Sequence, residues 1–180
     1  MNVSENASGA DNQQERLQHI SNDLGHYLSG FADGEGSFNI SVVKRKSDYR
    51  NGWKLVASFN ISQREDTIPK LFLTTLQCGT IRYRKDGVCY YEVRKINDIH
   101  LSVRSFFEQF PLRSQRQASR LKSLLQAIEL IVVGSHLTPQ GFEAVLNIRE
   151  EMTCTRKRTY EIADVLQNPQ RLYARTARAV

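Results

Sequence analysis

The stretch Tyr27-Leu28-Ser29-Gly30-Phe31-Ala32-Asp33-Gly34-Glu35-Gly36-Ser37 constrains the fold of this chain more than any other. Leu24, Tyr27, Leu28 and Phe31 recur at helical spacing, which predicts a helix over 23–32 with Asn22 or Asp23 as its cap. From Ser37 the pattern changes to alternation: Phe38, Ile40 and Val42 face one way, and Ser37, Asn39, Ser41, Val43 and Arg45 the other. That is a half-buried strand over 37–45. Each glycine between the two costs about 1 kcal/mol in a helix interior, so its presence there marks a turn or a close approach. Gly30 lies on the apolar side of the helix, where a second helix can come close; Gly34 and Gly36 flank Glu35 and let the chain turn sharply. Glu35 then sits at a helix C-terminal end, where the dipole disfavours an anion and a cation relieves it. On these residues alone two readings stand: a helix-to-strand turn with an incidental acid, or an acid aimed at a cation.

The rest of the chain supplies a sheet and more helices. After a basic loop over 44–52, a second alternating strand over 54–63 turns Leu55, Ala57, Phe59 and Ile61 inward and puts Lys54, Val56, Ser58 and Asn60 on the surface with Asn39 and Ser41. Asp66 is the expected cap of a helix over 67–77, with Pro69 in its first turn. Asp86-Gly87 predicts a hairpin joining 80–85 to 88–96, with Arg82 and Arg84 on one face and Tyr90, Glu92 and Arg94 together. Asp98 is the expected cap of a helix to Gln109, which Pro111 interrupts; further helices follow over 114–133, from Thr138-Pro139 to 152, and over 160–166. The order is αββαββα with additional C-terminal helices, an α+β fold on an antiparallel sheet. The expected organisation is a disordered or weakly ordered tail over 1–20, one domain over 21–168 and a basic tail over 169–180.

Lys and Arg number 25 against 19 Asp and Glu, a net charge of +6 that favours a polyanionic partner. Arg82, Arg84 and Arg94 read as close together without matching acids, among small polar residues suited to base edges; a two-stranded ribbon fits a DNA major groove. A solvated sheet face is the other reading. Cys78, Cys89 and Cys154 form no CxxC pair and fit a reducing, intracellular setting rather than a disulfide framework or a metal site. The longest apolar stretch, 124–133, is too short to cross a bilayer, and the polar N-terminus is no signal peptide, so no membrane partner is expected. Phosphodiester hydrolysis needs an activated water and charge neutralisation, which carboxylate-bound divalent metals supply. Glu35 with the Gly34 carbonyl would suffice if two subunits meet there, since magnesium takes few protein ligands. Gln63 positions a water or is an ordinary strand-end polar residue; Arg116 stabilises developing charge or is an exposed helix arginine. The four histidines, His19, His26, His100 and His136, are not spaced as a metal pair.

The segment 28–37 resembles the LAGLIDADG motif of homing endonucleases, of the single-motif type. Asn60-Ile61-Ser62-Gln63-Arg64-Glu65-Asp66 resembles the family's strand-to-helix junction, Cys78-Gly79-Thr80-Ile81 its turn into the second hairpin, and Phe110-Pro111-Leu112-Arg113-Ser114-Gln115-Arg116 the segment carrying its active-site lysine. His136-Leu137-Thr138 and the residues to Arg149 resemble the helix that follows in many members. The resemblance implies the αββαββα fold, with motif helices packing between two copies at Leu24, Tyr27, Gly30 and Phe31. It implies that Glu35 binds metal beside the Gly34 carbonyl and that Gln63 organises water. The lysine position falls on Gln115 or Arg116; Arg116 is the choice and Arg113 the reserve. DNA contacts are implied at Ser37, Asn39, Ser41, Arg45, Lys54, Ser58, Asn60, Arg82, Arg84, Tyr90, Glu92 and Arg94. The implied activity is that of an intron-encoded homodimer that cuts both strands of a long pseudo-palindromic DNA site across the minor groove. Mg2+ is the implied cofactor, Mn2+ or Ca2+ substituting for binding, and short 3′ overhangs remain. An intron RNA maturase, or a non-cleaving DNA-binding protein of the same fold, is the alternative. The setting is bacterial or archaeal cytoplasm or an organelle.

Overall fold

The computed structural model describes residues 19–45, 52–152 and 158–166. The tip of the basic loop after the first strand, Cys154 and most of both expected tails lie outside the described residues.

Helix α1 spans Asn22–Glu35. Its cap is Ser21, not Asn22 or Asp23: the Ser21 backbone is extended and its hydroxyl accepts from the Leu24 amide at 3.3 Å. Asn22 and Asp23 are already helical. The helix also runs through Gly34 to Glu35, so the turn is made by Gly36 alone, at φ −70° and ψ 145°. That conformation suits any residue. Glycine is required there by close approach, because a Cβ would stand 2.4 Å from the Ala32 carbonyl oxygen.

Strands β1 (Gly36–Lys44), β2 (Trp53–Gln63), β3 (Thr80–Tyr83) and β4 (Cys89–Val93) form one antiparallel sheet in the order β1-β2-β4-β3. Phe38, Ile40, Ala57, Phe59, Ile61, Tyr91 and Val93 are buried on its inner face. Phe59 sits among the Phe38, Phe72, Tyr91 and Phe107 rings, so sheet and helices share one aromatic core.

Helix α2 spans Thr67–Leu76. Asp66 stands at its N-cap position as expected, but its side chain makes no capping hydrogen bond. Its carboxylate instead pairs with Lys70 at 2.6 Å and accepts from the Tyr83 hydroxyl at 2.8 Å, tying α2 to β3. Helix α3 covers three consecutive stretches, Ile96–Asp98, a π-helical Ile99–Val103 and Arg104–Gln109. Asp98 lies inside it, paired with Lys95 at 3.4 Å, and not at its cap. Its helix begins three residues earlier because Lys95 already has the extended backbone of a cap position.

Helix α4 (Gln115–Val132) follows Ser114, whose hydroxyl accepts from the Gln117 amide. A 3-10 turn at Ser135–Leu137, not expected from the sequence, leads to α5 (Pro139–Glu151), capped by Thr138 as expected. The short α6 (Ile162–Leu166) joins Val42, Trp53, Phe142 and Leu146 in a second apolar cluster beneath β1 and β2. Among the described residues, no helix is long and apolar enough to cross a membrane.

Candidate active site and nucleic-acid interface

The C-terminal end of α1 is held against the start of α4 by two side chains. The last carbonyls of a helix have no amide partners within it. Here Gln117 provides one: its amide nitrogen lies 2.8 Å from the Gly36 oxygen, 3.4 Å from that of Asp33 and 3.5 Å from that of Ala32. In return the Asp33 carboxylate accepts from the backbone amides of Arg113 at 2.7 Å and Ser114 at 3.1 Å, at the positive end of α4. Gln117 is buried, 7 % exposed. Neither residue stood out as functional in the sequence, although Ser114-x-x-Gln117 has capping-box spacing. In a capping box Gln117 would return to the Ser114 amide. Asp33 occupies that amide, which leaves Gln117 for the α1 carbonyls.

Beside this clasp, Glu35 is exposed and makes no ion pair or side-chain hydrogen bond among the described residues. Gly34 is exposed in the same last turn. Arg113 and Arg116 are both exposed on the segment that Asp33 and Gln117 hold. The pairing of Gly36 with Ile61 puts Gln63 two residues further along β2, past the end of β1 at which α1 joins it. Gln63 shares its parity with Ile61 and is half-buried, while Ser62 belongs to the outer face. Among the described residues no group of three or more His, Cys, Asp or Glu side chains could hold a metal ion. One exposed carboxylate beside helix-end carbonyls is an oxygen donor set of the kind a hard divalent cation takes while keeping most of its water.

The outer face of the sheet carries the expected polar residues. Ser37, Asn39 and Ser41 stand opposite Asn60, Ser58 and Val56; Asn60 stands opposite Glu92, and Arg82 opposite Tyr90. Arg45 is exposed, Lys54 half-buried, and the short Ser58 only 5 % exposed. The arginines do have matching acids. Glu92 takes Arg82 at 3.0 Å and Arg94 at 2.8 Å, and Arg84 pairs with Asp86 at 2.8 Å while donating to the Tyr90 hydroxyl at 2.9 Å. Cross-strand register and the tight turn bring these partners together from separate positions.

On α1, Gly25, Leu28, Ser29 and Ala32 face the core. Leu24 and Phe31 are half-buried, Tyr27 is 53 % exposed, and a Cβ at Gly30 would meet nothing within 4 Å.

A family model described as "LAGLIDADG endonuclease" matches residues 28–124, from the α1 motif into α4. The chain belongs to the LAGLIDADG endonuclease family. It is similar to "Probable intron-encoded endonuclease 3" of Neurospora crassa, 30% identical over 128 residues, which is 69% of this chain and 24% of that protein. The chain thus spans about a quarter of the length of the curated relatives it matches. The crystal structure of the homing endonuclease I-TnaI superposes with a TM-score of 0.67 at 26% identity, covering 73% of this chain and 89% of that one. The LAGLIDADG homing endonuclease I-LtrWI bound to target DNA gives 0.69 at 25% identity, covering 77% of this chain and 47% of that one. These LAGLIDADG structures share the four-stranded antiparallel sheet and helix arrangement described above.

Proposed function

We propose that the chain is a site-specific, divalent-metal-dependent DNA endonuclease, intron-encoded as its relative in Neurospora crassa is named, that works as a homodimer. The observation that carries this reading is the Glu35 carboxylate, exposed and without a partner among the described residues where α1 meets the polar sheet face. An anion at a helix C-terminal end is unfavourable unless a cation joins it. The outer face lies along the DNA major groove, with Ser37, Asn39, Ser41, Asn60, Arg82 and Arg94 toward base edges. Two copies meet along Leu24, Tyr27, Gly30 and Phe31, which brings two Glu35 carboxylates together.

In this site Glu35 and the Gly34 carbonyl would hold Mg2+, which when bound neutralises phosphate charge and lowers the pKa of a water. Gln63, at the end of β2, orients a water by hydrogen bonding. Arg116 stabilises negative charge on the phosphate; a guanidinium does not give up its proton, so its role is electrostatic and not that of an acid. The product carries short 3′ overhangs from a pseudo-palindromic site.

The second reading is a nucleic-acid-binding protein of the same fold that does not cut, with intron RNA as its other partner. The segment Arg113-Ser114-Gln115-Arg116-Gln117 favours it, because no lysine occurs there. Selection from a randomised duplex library with Mg2+, followed by sequencing of cut ends, separates the two. Cleavage that Glu35→Gln abolishes while DNA binding in Ca2+ persists supports the nuclease. Binding without cleavage by the unaltered chain supports the second reading.

A further inference from the structure

A carboxylate on a DNA-facing surface repels phosphate, so Glu92 needs an explanation. It lies in the middle of the outer face, opposite Asn60 on one side and Thr80 on the other. Its side chain is only 13 % exposed, while the Arg82 and Arg94 side chains beside it are 57 % and 54 % exposed. Each carboxylate oxygen faces a different guanidinium: one accepts a hydrogen bond from Nη2 of Arg82 at 3.0 Å, and the other forms an ion pair with Nε of Arg94 at 2.8 Å. The trio keeps a net charge of +1, so the surface stays attractive to DNA.

The choice of nitrogen matters. An arginine has five N–H donors in a fixed planar fork. With the ion pair of Arg94 made at Nε, neither terminal nitrogen has a partner among the described residues, and these two form an edge that can pair bidentately with O6 and N7 of guanine. Arg82 is engaged through a single terminal nitrogen and keeps the other. A long flexible side chain loses rotamer freedom on binding, and a partner that has already ordered it lowers that cost.

We infer that Glu92 is a specificity-determining residue that reads no base itself but presets Arg82 and Arg94 to read guanine-type acceptor edges at two nearby base pairs. The inference rests on the outer sheet face being the DNA surface. It predicts an effect of unusual sign. Removing the Glu92 charge tightens binding to DNA in general and weakens discrimination.

The test is selection of bound sequences from a randomised duplex library in Ca2+ by the full chain, together with titrations of affinity against salt. Glu92→Gln has the same shape and no charge. It should bind random duplex more tightly. It should also lose about tenfold of its discrimination at two positions, in line with the roughly 1–3 kcal/mol that a good bidentate contact provides. Arg94→Ala should lose the guanine preference at one of these positions, and Arg82→Ala at the other. A uniform gain in affinity with unchanged preferences would overturn the inference and leave Glu92 as a simple ion-pair partner. Loss of a cytosine preference at one position, with both arginine positions intact, would overturn it too, since Glu92 would then be reading a base directly. If the unaltered chain selects no sequence at all, the assignment of the sheet face to DNA fails, and this inference with it.

Discussion

A methyl group at Gly25 would stand 2.3 Å from the Phe110 ring, whereas one at Gly30 would meet nothing within 4 Å. The two glycines lie on the same helix and have different causes. Gly25 serves the fold of the single chain. Phe110 is 1 % exposed and cannot yield, so Gly25→Ala should destabilise by about 1–3 kcal/mol, the usual cost of overpacking. Thermal or denaturant unfolding checks this. Gly30 has no such constraint among the described residues, and a better helix former there should stabilise the monomer by up to about 1 kcal/mol. If α1 packs on a second α1, Gly30→Leu should leave the fold intact and convert a dimer to monomer in sedimentation. A Gly30→Leu variant that stays dimeric would place the second chain elsewhere. Spacing alone could not separate Gly25 from Gly30, because both look like helix-interior glycines until Phe110 arrives from far along the chain.

At the scale of elements, the end of α1 and the start of α4 satisfy each other's backbone groups. Gln117→Met keeps the volume and removes the donor to the Gly36 carbonyl. That should cost about 1–3 kcal/mol, the penalty for leaving a buried polar group unpaired. Unfolding measures the stability term. Faster amide exchange around Gly36 should accompany it, since α1 loses its hold there. The tie between α2 and β3 has a pH signature. Hydrogen bonds from Lys70 and Tyr83 hold the Asp66 carboxyl below its ordinary value of 3.8. A carboxyl with a depressed folded-state pKa stabilises the protein above its unfolded value, and that contribution fades as pH falls through the folded one. The melting temperature of Asp66→Asn should therefore trail the unaltered chain at neutral pH, by a small amount because the pair is exposed. The gap should close below about pH 3.8. A gap that persists in acid would show that charge is not its source. Asp66 and Asp98 both precede apolar helical patterns in the sequence, yet neither side chain makes a capping hydrogen bond; each found a cation or a hydroxyl from another position instead.

For the whole molecule, the stoichiometry decides between readings. One copy of the glycine–acid stretch occurs in the 180 residues, and two carboxylates are needed if the metal site is to be shared. Sedimentation with a selected duplex should find two chains per DNA. One chain cutting both strands would refute the shared site. The net charge of +6 should make affinity fall as salt rises, because phosphate neutralisation releases counterions. A chain that covers most of I-TnaI and about half of I-LtrWI has the size of one structural unit of this family.

Hydrophobic periodicity by itself determined the αββαββα order, which strand residues turn inward and where Glu35 stands, because period two and period 3.6 are local properties of the chain. Glycine and proline marked most of the boundaries for the same reason. Tertiary structure alone decided the partners. Ser21 rather than its neighbours caps α1, Asp33 takes the amide that Gln117 would otherwise reach, and Glu92 stands between Arg82 and Arg94. A hydrogen-bonding group takes the best-placed donor or acceptor from any part of the chain. Which group is best placed is not known until the sheet has its register and the helices have packed against it.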